Sequence, residues 1–272
     1  MNKRSLWSGP YILWMIGFTV IPFCMILHYA LTDRDGAFTF RNLLAMFEPV
    51  HLKAMTVSVE VAFFCTVICI LLAYPLVIAM KRLGLFGKSY TILVLILPMW
   101  INFILRLLAL QMILSNNGVL NHIFSILGLP PHELANTRTA MMIGIVYDYL
   151  PYMIVSIYNS VADIDDDIIE AARDLGAGSL TVFFRIILPL SVPGLLSGIV
   201  MVFVPSMTSF VTANIMAGGK IQLIGNIIEQ EFITTMDWHL GSGLSVILMI
   251  FVLLSMAFTS RNDPDYGMSK IW

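Results

Sequence analysis

Charged residues are scarce in this chain of 272 residues. Asp, Glu, Lys and Arg together make up 12% of it, whereas 58% of the residues are hydrophobic and the mean hydropathy is +0.87. Because soluble domains carry roughly 25% charged residues, this composition excludes a soluble globular protein. It predicts an all-α membrane protein, and the small net charge of −2 gives no argument for a nucleic-acid partner.

Residues that commonly build catalytic or metal sites are few and dispersed. The chain has three cysteines and five histidines, and their spacing predicts no metal site and no catalytic Ser–His–Asp or Cys–His arrangement. Cys65 and Cys69 lie in one apolar run, which favours small buried hydrophobic side chains over metal ligands. A Gly-x-x-x-x-Gly-Lys-Ser/Thr loop is also absent. We therefore expect neither enzyme activity nor a bound cofactor in this chain.

Six apolar stretches are long enough to span a membrane, which takes about 20 residues. We predict spans at about 10–31, 57–80, 90–114, 139–161, 191–217 and 243–260, within a single transmembrane domain that covers residues 1–272. The first run is longer than the apolar part of a signal peptide, and no small-residue cleavage site follows it. We therefore expect it to be retained as a span.

Lysine and arginine are more frequent in the segments on one side of these spans. If the N-terminus is inside, the inner segments hold Lys3, Arg4, Lys81, Arg82, Lys88, Arg173, Arg185, Arg261 and Lys270. The outer loops then hold only Arg34, Arg41, Lys53, Arg138 and Lys220. By the positive-inside rule, this distribution places both termini and the polar segment 162–190 in the cytoplasm.

The segment 162–190 is polar and acidic, and its pattern predicts two short helices. Asp163, Asp165 or Asp167 can cap the start of the first helix, because their side chains can accept hydrogen bonds from free backbone N–H groups. Asp167 and Glu170 also have the spacing of a capping box. We call this segment the acidic hairpin.

A glycine separates the two predicted helices. Gly176 is expected to end the first, since glycine readily adopts the left-handed conformation, and Ser179 is expected to cap the second. The apolar stripe of the first helix is Ile164, Ile168, Ala172 and Leu175. The apolar face of the second is Leu180, Phe183, Phe184 and Ile187. Helical spacing thus predicts an amphipathic helix–turn–helix.

The sign of its charge separates two interpretations of the acidic hairpin. An amphipathic connector lying on lipid headgroups carries Lys and Arg on its polar face. Here that face carries six carboxylates between Asp163 and Asp174, which anionic lipid repels. The pattern therefore favours docking onto another protein, with Glu170 available to a basic group and the small Ala171 and Ala172 allowing close approach.

The hairpin sequence also resembles a known motif. Glu170-Ala171-Ala172, then Gly176, then Ile186-Ile187-Leu188-Pro189 is similar to the coupling loop of bacterial ABC-importer permeases. The resemblance implies a type I importer permease fold with six transmembrane helices, whose loop inserts into a groove on a separate ATPase subunit. The residues it predicts to couple to that ATPase are Glu170, Ala171, Ala172, Gly176, Ile186, Leu188 and Pro189.

Further stretches resemble the first permease subunit of spermidine/putrescine importers. They are 97–106, 117–121, 147–153, 210–212, 218–220, 223–228 and 237–238, and the resemblance covers most of the chain. It implies a protein of the bacterial inner membrane that takes up polyamines by alternating access. The implied partners are a second homologous permease, two cytoplasmic ATPases that bind ATP and Mg²⁺, an extracytoplasmic substrate-binding protein and membrane lipid.

Two opposite charges lie within the predicted spans. Asp148, near the middle of the fourth span and flanked by tyrosines, suits an ammonium group. Arg106 lies towards the outer end of the third span, where we expect it to pair with a carboxylate or carbonyls. Two alternatives stay open for Asp148: contact with substrate, or an ion pair with Arg106. The predicted pathway set is Asp148, Tyr147, Tyr149, Tyr152, Arg106 and Trp100.

Other functions remain alternatives at this stage. Related permeases serve iron, thiamine, molybdate and sulfate, and for an anionic substrate Arg106 would become a candidate ligand. A secondary transporter or an integral-membrane enzyme would need no ATPase, but secondary carriers often show repeated halves and broken helices, and we expect neither here. A membrane scaffold with no transported substrate is a further alternative.

Overall fold

The computed structural model describes residues 9–86 and 89–260, and helices dominate this part of the chain. In chain order they are α1 (Gly9–Met15, continued by a π-helical turn at Ile16–Val20 and by Ile21–Ala30), α2 (Arg41–Leu44, followed by a 3-10 turn at Ala45–Phe47), α3 (Pro49–Arg82), α4 (Ser89–Ile96, followed by a 3-10 turn at Leu97–Trp100), α5 (Phe103–Leu114), α6 (Val119–Ile126), α7 (Arg138–Ala162), α8 (Asp166–Asp174), α9 (Ser179–Leu190, with a π-helical turn at Phe183–Ile187), α10 (Val192–Met207), α11 (Phe210–Ala217), α12 (Ile224–Ile233) and α13 (Trp238–Ser260). The predicted all-α class is confirmed.

Five helical stretches of the described chain are long and apolar enough to cross a membrane. They are Tyr11–Ala30, Pro49–Arg82, Phe103–Ile126, Arg138–Ala162 and Trp238–Ala257. A sixth results if α9 and α10, which are bent by 69° relative to each other, are counted as one broken span. The boundaries of the six predicted spans stay a prediction, since the helices in two of them, 90–114 and 191–217, are shorter than a bilayer requires.

Two of the predicted spans are interrupted, so the expectation of unbroken helices is wrong. In span 90–114, the 3-10 turn that contains Pro98 ends α4, and α5 begins after Asn102. The Asn102 side chain accepts hydrogen bonds from the backbone N–H groups of Ile104 (3.0 Å) and Leu105 (3.2 Å), which caps the new helix. In span 191–217, α10 ends at Met207, two residues after Pro205, and α11 starts at Phe210.

Contacts divide the chain into two units, described separately. In the first, formed by residues 9–56 and 224–254, two side chains satisfy the carbonyl groups at the end of α1. The Asn42 amide donates to the carbonyl oxygens of Tyr29 (3.3 Å), Ala30 (3.2 Å) and Thr32 (2.9 Å). His239 Nδ1 lies 2.7 Å from the Thr32 carbonyl, which can only accept, so this nitrogen carries the proton.

The second unit, formed by residues 57–86, 89–223 and 255–260, is built around α7, which packs most extensively against α10 and also against α11, α4 and α5. Cys65 and Cys69 of α3 are fully buried in its core with their Sγ atoms 4.0 Å apart, as predicted. Cys24 of the first unit is exposed. Among the residues described, no cluster of His, Cys, Asp or Glu could hold a metal ion.

Close packing of α7 on α10 depends on two glycines spaced four residues apart. A Cβ at Gly194 would lie 2.4 Å from Ser160 Cβ, and one at Gly198 would lie 2.7 Å from Met153 Sδ. The short distance also lets the Ser156 hydroxyl donate to the Gly194 carbonyl oxygen at 2.8 Å. Small residues at this spacing are a common device for bringing membrane helices together.

Gly194→Ala is therefore expected to destabilise the protein. The new Cβ would also meet the Ser156 carbonyl oxygen at 2.6 Å, and overpacking of this kind costs about 1–3 kcal/mol. The measurement is the thermal midpoint of the purified protein in detergent. Gly17→Ala is the matched control, because a Cβ at Gly17 meets nothing within 4 Å. Equal midpoints for the two variants would contradict the close approach of α7 and α10.

Candidate functional site

The acidic hairpin forms two helices, as predicted, but its caps differ from some of the expectations. Asp165 is the N-cap of α8, where its side chain accepts a hydrogen bond from the Asp167 backbone N–H at 3.1 Å. Asp167 is already the second helical residue, so the capping box predicted for Asp167 and Glu170 is wrong. Ser179 does not cap α9 either, because Gly178 occupies that position and Ser179 is its first residue.

The predicted glycine turn is present between the two helices. Gly176 has a φ of +84°, a conformation in which side chains are strained. Its N–H donates to the Arg173 carbonyl (2.8 Å), and the N–H of Ala177 donates to the Ala172 carbonyl (3.0 Å). These bonds satisfy carbonyl groups that the end of α8 leaves without a helical partner.

Each helix of the hairpin has both buried and exposed apolar side chains, whereas the sequence pattern predicted a single apolar face for each. The inner face of the hairpin consists of Ile164, Ile169, Val182 and Ile187, all buried in the core of the second unit. Ile168 and Leu175, which the sequence placed on the same stripe as Ile164, are exposed, and so are Leu180 and Phe184. The stripe was misplaced by one residue because Ile168 and Ile169 are adjacent and only one of them can face the core.

A second set of apolar side chains on the hairpin is exposed, and two of them, Leu180 and Phe184, line an open cavity of about 900 Å³ together with residues of α3. Leu175 is 89% exposed, Leu180 74% and Phe184 60%. We call these three side chains, together with the exposed Glu170 and Ala171 beside them, the outer hairpin surface. Among the other predicted coupling residues, Gly176 and Pro189 are exposed, and Ala172, Ile186 and Leu188 are half-buried. Large apolar side chains held out on a capped, structured hairpin are typical of a surface that another protein covers.

A lysine for which the sequence predicted no contact attaches the hairpin to the helices behind it. Lys81 at the end of α3 forms an ion pair with Asp166 (2.9 Å) and donates to the carbonyl oxygens of Val161 (3.3 Å) and Ile164 (3.1 Å). Its side chain is mostly buried. The sequence hinted at this contact only in that the aspartates of the hairpin and Lys81 of the preceding inner segment carry opposite charges and lie on the same predicted side of the membrane. The bonds connect α3, the end of α7 and the start of α8.

Within the apolar interior, Arg106 and Asp148 form an ion pair. Arg106 Nη2 lies 2.6 Å from Asp148 Oδ1, and Thr212 Oγ1 donates to Asp148 Oδ2 at 3.1 Å. Arg106 Nη1 donates to the Pro98 carbonyl oxygen at 3.1 Å, a group freed by the break after α4. Asp148 is only 4% exposed. Of the two alternatives for Asp148, the structure therefore contains the ion pair, and Thr212 and Pro98 are partners that the sequence did not reveal.

The aromatic residues of the predicted pathway differ in their contacts and in their exposure. Tyr147 stacks on Arg106, whose guanidinium carbon lies 5.3 Å from the ring centre, and the Tyr149 hydroxyl donates to the Pro205 carbonyl oxygen at 3.3 Å. Tyr152 is 40% exposed, its ring centre lies 6.3 Å from that of Tyr149, and it lines a cavity between α4, α7 and α10. Trp100 is 76% exposed. Neighbouring residues on a helix point in different directions, so the three tyrosines make different contacts.

Asp148→Asn is expected to destabilise the protein strongly, because it leaves the buried Arg106 guanidinium without its carboxylate. Removing one partner of a buried ion pair typically costs about 3–5 kcal/mol. Thr212→Val is the matched control, since it removes one hydrogen bond from the same carboxylate, worth about 1 kcal/mol. The thermal midpoint in detergent measures both. A midpoint for Asp148→Asn no lower than that of Thr212→Val would contradict a stabilising role for the pair.

Comparison with known proteins identifies the family that has this architecture. A family model described as binding-protein-dependent transport system inner membrane component matches residues 61–266, which include the acidic hairpin and the buried ion pair. The chain belongs to this family. It is therefore an inner-membrane component of an ABC importer, and a transport subunit rather than an enzyme.

Individual relatives agree with this family. The permease is 33% identical over 249 residues to the spermidine/putrescine transport system permease protein PotB of Haemophilus influenzae, covering 89% of this chain and 87% of the relative. It is 34% identical over 251 residues to PotB of Escherichia coli strain K12, covering 89% and 91%. A crystal structure of a bacterial alginate ABC transporter, in complex with a periplasmic protein that holds an alginate pentasaccharide, has the same fold. The TM-score is 0.77 at 14% identity, covering 95% of this chain and 92% of that one.

Proposed function

We propose that this permease is one transmembrane subunit of an ATP-driven importer that takes up spermidine and putrescine by alternating access. The observation that carries the proposal is the identity of 33–34% to spermidine/putrescine permeases over 89% of the chain. In the complete transporter the chain pairs with a second, homologous permease and with two ATPase subunits. An extracytoplasmic binding protein delivers the polyamine.

The buried ion pair bears on the choice of substrate. Among related permeases, some serve anions such as sulfate or molybdate, and Arg106 would be a candidate ligand for them. In this chain the guanidinium is 2.6 Å from Asp148 and its side chain is largely buried. Its positive charge is therefore compensated within the protein. This arrangement supports a cationic substrate over an anionic one.

We further propose that the outer hairpin surface docks on the ATPase. In the orientation given by the positive-inside rule, both termini and the hairpin lie in the cytoplasm. ATP and Mg²⁺ then bind to the partner subunit, and the exposed Leu175, Leu180 and Phe184 provide an apolar contact. Glu170 offers a carboxylate at the edge of this contact for a basic residue of the ATPase.

Leu175→Ser is expected to weaken docking, because it removes the most exposed apolar side chain of the outer hairpin surface. The measurement is the amount of ATPase that co-purifies with the tagged permease from membranes. Leu83→Ser is the matched control, since Leu83 is also exposed but lies outside the hairpin. Glu170→Arg, which reverses the charge beside the contact, should likewise insert into the membrane but lose the ATPase. Unimpaired transport by Glu170→Arg would contradict this docking site.

Substrate identity is tested by uptake of labelled spermidine in a strain from which this chain and other polyamine carriers are deleted. Uptake should return when the wild-type chain is supplied with its partner subunits. An excess of unlabelled putrescine should compete, whereas an excess of sulfate should not. Absence of restored uptake in membranes that contain the assembled complex would refute the polyamine assignment.

A further inference from the structure

A second polar feature of α7 faces a cavity that the buried ion pair does not reach. The cavity has a volume of about 540 Å³ and lies between α4 with its 3-10 turn, α7 and α10. Its lining residues from α7 and the following turn are Pro151, Tyr152, Val155, Ser156, Asn159, Ser160 and Asp163. Ile96 and Met99 close one side, and Pro193, Gly194, Ser197 and Met201 of α10 close the other.

Several polar side chains in this lining have no hydrogen-bond partner in the described part of the chain. Within residues 9–86 and 89–260, no side-chain hydrogen bond is formed by Asn159, Ser160 or Ser197, whereas Ser156 bonds to the Gly194 carbonyl oxygen. In hydrocarbon, an unsatisfied amide or hydroxyl group costs several kcal/mol. This side of α7 therefore contacts water or a polar ligand, not lipid.

The charge of the lining selects the kind of ligand. Of the residues that the structure describes, it contains one carboxylate, Asp163, and no lysine, arginine or histidine. Asp163 is exposed, and in the described chain it takes part in no ion pair, because Lys81 is bound to Asp166. At the other end, the partly exposed ring of Tyr152 can attract a cation through its π face. A carboxylate and an aromatic ring without an opposing base favour a positively charged ligand.

The length of the polar stripe suits a linear ligand. Tyr152 and Asp163 are eleven residues apart along the chain, which is about 16 Å at 1.5 Å per helical residue. Asn159 lies between them with free acceptor capacity, while Val155 and Met201 offer apolar contacts. Ammonium groups separated by short methylene chains match this alternation of acceptors and apolar surface.

We propose that the stripe from Tyr152 to Asp163 is a polyamine-binding track in the cytoplasmic half of the permease. Ammonium groups contact Tyr152, then Asn159, and finally Asp163 at the exit. This inference rests on the proposed function and on the proposed orientation. It assigns substrate contact to Asp163 and Tyr152 in place of Asp148, whose carboxylate is occupied by Arg106 and Thr212.

The first test is spermidine uptake into vesicles that contain the complete transporter. Asp163→Asn should lower uptake about tenfold, the loss expected for one hydrogen bond to a charged group, and Asp163→Glu should restore most of it. Asn159→Leu, nearly the same size, should also lower uptake. Asp167→Asn is the matched control, because Asp167 is an exposed carboxylate nearby that does not line the cavity. All four variants should retain co-purifying ATPase.

The second test measures how fast charged reagents reach the cavity and does not rely on transport. In a Cys24→Ser background, where the remaining Cys65 and Cys69 are buried, Asn159→Cys and Ser197→Cys are treated with cationic or anionic methanethiosulfonate reagents. The cationic reagent should react several-fold faster at both positions, and spermidine should slow it. Equal rates for the two reagents, or no protection by spermidine, would overturn the track.

The two tests separate this inference from the proposed function. If the wild-type transporter takes up no spermidine, the proposed function fails. If the wild type transports spermidine and Asp163→Asn and Asn159→Leu do so equally well, the proposed function stands and the track is wrong.

Discussion

The ion pair between Arg106 and Asp148 is the interaction on which the interior of the second unit depends. Either charge alone would be very unfavourable among apolar helices. Together with Thr212 and the Pro98 carbonyl, the pair links the break after α4 to α5, α7 and α11. Broken helices are tolerated inside a membrane protein where neighbouring groups satisfy the freed backbone, and Arg106 does this for the break at Pro98.

The same pair decides which other groups remain free. Because Asp148 is bound on both carboxylate oxygens, its charge is not available to a ligand. The polar side chains without a partner among the described residues lie further along α7, at Asn159 and Ser160, and just beyond its end, at Asp163. One helix thus presents a satisfied charge to its protein neighbours and unsatisfied polar groups to a cavity. Asp148 and the polar groups that face the cavity differ in burial and in hydrogen-bond partners, and residue type alone does not show this difference.

The general architecture and the hairpin could be predicted from the sequence, whereas the contacts could not. Composition and apolar runs were sufficient for the all-α membrane class, and Gly176 for the turn, because these depend on local chemistry. Three aspartates were equally able to cap α8, and only the backbone path selected Asp165. Ile168 and Ile169 were both apolar, so the pattern could not decide which one faced the core.

Whether Arg106 and Asp148 form an ion pair could not be decided from the sequence, for a different reason. Arg106 and Asp148 are 42 residues apart, and their distance is set by how α5 and α7 pack. The position of Pro98 did not identify the helix break, since prolines also occur inside the continuous helices α3 and α7. Asn102, which caps α5, was the local signal that distinguishes this proline, because a capping residue four positions later allows a new helix to start.

The attachment of the acidic hairpin explains how a force on it would reach the cavity. Lys81 binds Asp166 of the hairpin and the carbonyl groups of Val161 and Ile164 at the end of α7. The inner face of the hairpin, including Ile169 and Val182, is buried in the same core. A partner that moves the outer hairpin surface therefore displaces the end of α7, and Asp163 lies at that end. Because close contacts at Gly194 and Gly198 hold α10 to α7, these two helices are expected to move as a pair. The cavity then changes shape when the pair moves relative to α4.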